Sequence, residues 1–176
     1  MSGPGQHDVP EVAFSLGSNL GDRLQALRVA RQMLLEEPRT SLAACSPLYE
    51  TEPVGVDEAY QHLFFLNAVV IISGGQGAEH WLAVIQRIEQ ALDRQRGPDR
   101  YAPRTIDVDL LYCGEQRLTS PSLTVPHPRW LEREFVVRPL ADVRPGLVLP
   151  GCKETAAALI TRIQRPGAVR LFARDW

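Results

Sequence analysis

Two aspartates, Asp107 and Asp109, occupy alternate positions of the apolar run "RTIDVDLLYCG". Side chains alternate faces along a strand, so these carboxylates share one face while Ile106, Val108 and Leu110 take the other. Two carboxylates so close repel each other and call for a cation. Mg²⁺ suits them, because it takes carboxylate oxygens, keeps waters and bridges to substrate phosphates. A lone D-x-D is also compatible with the solvent face of an edge strand. The preceding stretch, "DRQRGPDRYAPR", sets Arg94, Arg96, Arg100 and Arg104 in a turn-rich segment. Guanidinium forks there could bind a phosphate chain bidentately from the side opposite the metal; otherwise the segment is a solvated, charge-laced loop.

Other positions could add to such a site. His127 in "LTVPHPRW" is fenced by two prolines near Arg129 and Arg133, and phosphate contact and turn packing suit it equally. Asn67 interrupts the apolar "FFLNAVV", and a buried amide must find partners, either a neighbouring loop or the edge of a planar heterocycle. Phe65 could stack on such a ring, and Thr51 to Gly55 would form the adjoining wall. No G-x-x-x-x-G-K-[ST] and no G-x-G-x-x-G opening a helix occurs, and the only lysine is Lys153. Any ATP site is therefore of a rarer kind.

The elements that must position these residues follow from periodicity. "EVAFSLG" reads as a strand entering a turn, and Leu20, Leu24, Leu27, Arg31 and Leu34 then fall at helical spacing. Asn19 can cap that helix, with Asp22 in its first turn. "TSLAACSPLYETEPVG" is extended, and "HLFFLNAVVIIS" is a buried strand ending at "GGQG". A second helix runs through Trp81, Ile85, Ile88 and Leu92 to Gly97 and Pro98. The D-x-D strand follows, then a hairpin at "EQRLTS", the loop "VPHPRW", and helices in "EREFVVRPLADV" and "KETAAALITRI". The order β-α-β, β-α-β with a C-terminal elaboration fits an α+β ferredoxin-like βαββαβ sandwich, with helices on one face of the sheet.

At 176 residues and 44% hydrophobic the chain suffices for one domain, expected over 11–176, with residues 1–10 a disordered leader. A formal net charge of −2 argues against a globally basic nucleic-acid binder, so anion binding must be local. Cys45, Cys113 and Cys152 lie far apart and form no C-x-x-C pair, which favours reduced thiols in a cytoplasmic protein. The apolar runs fall short of a membrane span, and a monomer acting on small molecules is expected.

The segments "FSLGSNLGDR", "SPLYETEPVG", "FLNAVV", "APRTIDVDLLYCG" and "LTVPHPRWLEREFVVRPLADV" resemble the 6-hydroxymethyl-7,8-dihydropterin pyrophosphokinase family, in the same order, from about Val12 to Leu149. The resemblance implies transfer of a pyrophosphoryl group from ATP to 6-hydroxymethyl-7,8-dihydropterin, releasing AMP, in tetrahydrofolate biosynthesis. It implies that Asp107 and Asp109 hold two Mg²⁺ ions, and that Arg94, Arg96 and Arg104 contact the phosphates with His127 and Arg133. It further implies a pterin site of Thr51, Pro53, Val54, Phe65 and Asn67, closed between Phe135 and Tyr101. Glu89 matches an acidic helical position. The sequence departs from the family pattern at Asp93 before Arg94, at Ala102 after Tyr101 and at Pro128 after His127. Ala102 removes a permissive backbone position from the arginine loop. The rival readings are a catalytically weak paralogue, a ferredoxin-like small-molecule binding module and a Mg²⁺-dependent hydrolase.

Overall fold

Alternation along the strands sorts the chain into two cores on opposite faces of one sheet. The computed structural model describes residues 9–53, 56–94 and 102–176. In the first strand, β1 (Glu11–Ser18), Val12, Phe14 and Leu16 face one way and Ala13, Ser15 and Gly17 the other. The first core joins Val12, Phe14 and Leu16 to α1 (Arg23–Leu35) and α2 (Ala78–Ala91). At its centre Trp81 is fully buried edge-on to Phe14, with ring centroids 5.2 Å apart. The second core joins Ala13, Val69, Ile71, Leu111 and Tyr112 to α3 (Glu134–Val143) and α4 (Ala156–Ile163). Helices thus cover both faces of the sheet, where the sequence pattern predicts them on one.

The sheet is antiparallel throughout, with order β5-β1-β4-β3-β8. Its members are β3 (Leu48–Thr51), β4 (Phe65–Ser73), β5 (Asp107–Cys113) and β8 (Val169–Ala173), with β2 (Ser41–Cys45) also paired to β4. The extended stretch before Thr51 is two strands because the ladder breaks at Ser46–Pro47, and Pro47 has no N–H to give. The Ser46 hydroxyl and N–H instead bond the N–H and carbonyl of Val69, each at 2.9 Å. A small hairpin pairs β6 (Leu118–Thr119) with β7 (Thr124–Val125), as "EQRLTS" suggests.

Two features depart from the expectations. The side-chain cap of α1 is Asp22, whose carboxylate accepts from the Gln25 N–H at 3.0 Å, while Asn19 is used elsewhere. Strand β8 is not foreseen: it adds to the β3 edge, and the Trp176 indole N–H behind it donates to the Ser46 carbonyl at 2.8 Å. The Arg31 guanidinium lies over the Trp176 ring, 4.5 Å from its centroid.

Candidate active site

Along the face that α3 and α4 share, the strands change character. Ala13, Val69 and Ile71 give way to Ser15, Gly17, Asn67, Asp107 and Asp109. Register sets these in rows: Tyr49, Asn67, Gly17 and Asp107 stand directly opposite one another across four strands, and Ser15 pairs with Asp109 in the next row. Asp107 and Asp109 therefore share a face, as their spacing predicts, and their side chains keep 29% and 33% exposure. Val108 and Leu110 between and after them enter the first core. β5 is a terminal strand of the sheet, as the edge-strand reading has it, and both carboxylates are paired with arginines.

Cations from separate elements meet them. Arg94, just after α2, reaches Asp107 at 2.8 Å and also pairs with Glu89, which is buried in that helix. Arg104 approaches Asp107 at 3.1 Å, and Arg133, leading into α3, approaches Asp109 at 3.0 Å. Each guanidinium thus rests on a carboxylate that a metal could take. Burial, reinforced by the Asp107 carboxylate, pushes Asp109 up to about 6, against the pull of Arg133 and Arg94.

The β1–β5 register shifts between Leu110 and Tyr112, and the Leu111 carbonyl accepts from the His127 N–H at 2.8 Å. That bond holds His127 beside the pair, its Nε2 3.8 Å from Asp109. Burial, then the charges of Arg133 and Arg129, hold His127 down at about 4, so the ring is neutral at pH 7. Its Nδ1 accepts from the Arg129 N–H at 3.2 Å, which leaves the proton on Nε2. A neutral donor thus faces the anionic side of the site.

On the far side of Gly17, Asn67 is 3% exposed and its Nδ2 donates to Thr51 Oγ1 at 2.7 Å. The partner is a side chain on the next strand, where the sequence suggested a loop backbone. Phe65 stands opposite Thr51. Phe135 packs at the edge of the second core with the Arg133 guanidinium 5.8 Å from its ring centroid. Pro53 follows β3 and is partly exposed. Val54, Arg96, Arg100, Tyr101 and the leader up to residue 8 lie outside the described residues.

Gly17 lies between Asn67 and Asp107 within β1 and is not among the expected site residues. A Cβ there would come 3.0 Å from Asn67 Oδ1 and 3.9 Å from Asp107 Cβ, so the missing side chain keeps the floor between them open. Only the glycine in "SLGS" hinted at it. The Glu89–Arg94 pairing joins a helix to the segment after it, and a five-residue separation is not a helical i, i+3 or i, i+4 spacing that would signal it.

Among the described residues no group of three His, Cys, Asp or Glu side chains could hold a metal unaided. Two carboxylates completed by phosphate oxygens and water are what Mg²⁺ accepts. The arrangement sets two carboxylates and three guanidinium groups on the same sheet face as a buried amide, a charge distribution that can receive a metal-bound polyphosphate.

Residues 13–145 match the family model for 7,8-dihydro-6-hydroxymethylpterin-pyrophosphokinase. The chain is 40% identical over 130 residues to the 2-amino-4-hydroxy-6-hydroxymethyldihydropteridine pyrophosphokinase of Bacillus subtilis, covering 74% of this chain and 75% of that protein. It is 37% identical over 175 residues to the enzyme of that name from Mycobacterium bovis, covering 92% and 89%. The solved structure of wild-type Plasmodium falciparum HPPK-DHPS with pteroate superposes with a TM-score of 0.67 over 87% of this chain and 42% of that one. At 16% identity that likeness speaks to the fold alone.

Proposed function

Since this chain belongs to the 7,8-dihydro-6-hydroxymethylpterin-pyrophosphokinase family, we propose that it transfers pyrophosphate from ATP to 6-hydroxymethyl-7,8-dihydropterin, giving the pterin diphosphate and AMP in folate biosynthesis. The observation that carries the site assignment is the row Asn67, Gly17, Asp107: a ring-recognising amide and a metal-binding carboxylate on one face, one residue apart.

Asp107 and Asp109 would hold Mg²⁺, taken as two ions, which supplies positive charge to the triphosphate and orients it. Arg94, Arg104 and Arg133, resting on the carboxylates, exchange those partners for phosphate oxygens when ATP binds, and Arg96 joins them. Their forks stabilise charge that develops as the pterin hydroxymethyl oxygen attacks the β-phosphorus and AMP leaves. His127 donates its Nε2–H to a phosphate oxygen. Thr51, Pro53, Val54 and Asn67 read the pterin edge, Phe65 lines the wall, and the ring lies between Phe135 and Tyr101. The catalytic work is positioning and electrostatics, which needs no dedicated general base.

We read the strand order of β1 to β5 as a ferredoxin-like sandwich and residues 11–176 as one pyrophosphokinase domain. β8, α3 and α4 are its C-terminal elaboration. The protein acts as a cytoplasmic monomer on two small molecules; no helix among the described residues is long and apolar enough to cross a membrane.

The test is AMP formation from ATP and Mg²⁺ with and without the pterin, with mass detection of the pterin diphosphate. Pterin-dependent AMP and the matching product are expected. Pterin-independent phosphate release would instead identify a hydrolase, and binding of both substrates without turnover a catalytically weak paralogue.

A further inference from the structure

The turn between β1 and α1 reaches both halves of the site. Asn19 is 3% exposed, and its N–H donates to the Arg104 carbonyl at 3.2 Å while its Oδ1 accepts from the Arg104 N–H at 2.8 Å. This reciprocal pair pins the backbone of the residue whose guanidinium meets Asp107. The Asn19 Nδ2 makes a longer contact, 3.4 Å, with the Leu63 carbonyl. At the other end of the turn, Arg23 donates to the Phe64 carbonyl at 2.7 Å and to the Glu50 carboxylate at 3.0 Å. Phe64 immediately precedes Phe65 in β4, and Glu50 immediately precedes Thr51 in β3. Arg23 thus grips the two strand ends that carry the ring side of the site.

The turn is built to transmit such constraints. Gly21 has φ of 69°, a left-handed conformation that L side chains rarely adopt, and the Asp22 cap fixes the start of α1. Asn19 is not spent on capping, so its buried amide is committed to the loop opposite. A buried amide satisfied by another loop's backbone fixes that loop, and releasing it leaves polar groups unpaired.

We propose that the β1–α1 turn is a two-ended brace, in which Asn19 positions Arg104 for the phosphates and Arg23 positions the strand ends that receive the pterin. Both are positioning residues. The inference rests on the substrate assignment above.

The test compares wild type with Asn19→Ala, Asn19→Asp and Arg23→Gln. The measurements are kcat, KM for each substrate, thermal midpoint, and calorimetric binding of the pterin and of a non-hydrolysable ATP analogue with Mg²⁺. Asn19→Ala is expected to lower kcat roughly ten- to a hundred-fold and to weaken nucleotide binding, with pterin binding within about three-fold of wild type. Asn19→Asp keeps the acceptor for the Arg104 N–H and restores most of kcat. Arg23→Gln raises the pterin KM roughly ten-fold and spares the nucleotide. If wild type binds both ligands but each variant loses both affinities in step with its thermal midpoint, or loses neither, the brace is refuted and the substrate assignment stands. If wild type binds neither ligand, the substrate assignment falls and the brace with it.

Discussion

Asn67 and Asp107 stand on one face of the sheet with only Gly17 between them. A methyl added at Gly17 would sit 3.0 Å from Asn67 Oδ1, tighter than ordinary contact, and the amide could yield only by straining its bond to Thr51. Gly17→Ala is therefore expected to raise the pterin KM roughly ten-fold, about 1.4 kcal/mol, with a smaller effect on ATP. Steady-state kinetics in each substrate checks this, and an unchanged pterin KM would show that the floor is not used.

Asp107 and Asp109 are the carboxylates to which the proposed mechanism assigns Mg²⁺. Asp107→Asn and Asp109→Asn are expected to cut kcat by roughly a hundred-fold or more and to abolish stabilisation of the protein by Mg²⁺ with an ATP analogue. The thermal midpoint of the ligand-free variants should stay within a few degrees of wild type. Near-normal turnover in both variants would remove the metal assignment.

The shifted groups at the site make opposite contributions to stability over nearly the same pH range. Asp109 rises from 3.8 to about 6 on folding, so the folded state holds more protons and loses stability as pH climbs through that window. His127 falls from 6.5 to about 4, so the folded state holds fewer protons and gains stability as pH climbs from about 4 to 6.5. Each contribution is at most about 3 kcal/mol and smaller after allowance for exposure, so they largely cancel. Urea unfolding between pH 4 and 6.5 should give a rising stability for Asp109→Asn and a falling one for His127→Gln, relative to wild type. Identical pH slopes in all three proteins would contradict this.

Glu89 is the buried anchor of Arg94, which in turn reaches Asp107. Its substitution by Leu leaves Arg94 partly buried with less of its charge compensated and is expected to cost about 3 kcal/mol in urea unfolding. Glu89→Gln keeps a hydrogen-bond acceptor and should cost less stability while still raising the KM for ATP. Equal stability losses in the two variants would mean that the charge of Glu89, which both remove, holds Arg94 and that the hydrogen-bond acceptor adds nothing.

The legible parts of the site were those that break a local pattern. Asp107 and Asp109 stand out by their period of two in an apolar run, Asn67 by its polarity in an apolar strand, and His127 by its two prolines. What stayed hidden depends on residues far apart in the chain. Asn19 carries a helix-capping signature, yet the buried contact with Arg104 claims it and Asp22 takes the cap. Gly17 contributes by having no side chain. β8 reads "VRLFA", with Leu171 and Phe172 about half exposed, and a five-residue edge strand of that kind has no clean alternation to announce it. Helices are expected in the segments of α3 and α4, but nothing local told that they would cover the sheet face opposite α1 and α2.

The alternation of Asp107, Val108, Asp109 and Leu110 has a consequence for quality control. A slip of β5 by one residue against β1 would turn both carboxylates into the apolar core and Val108 and Leu110 out of it. Burying two like charges while exposing two aliphatic side chains is a loss no compact state can absorb. A chain that misaligns this strand therefore fails to fold instead of persisting as a folded but impaired enzyme. In a refolded preparation, activity should track the amount of native protein, with no pool of native-like molecules in which Asp107 and Asp109 have left the face they share.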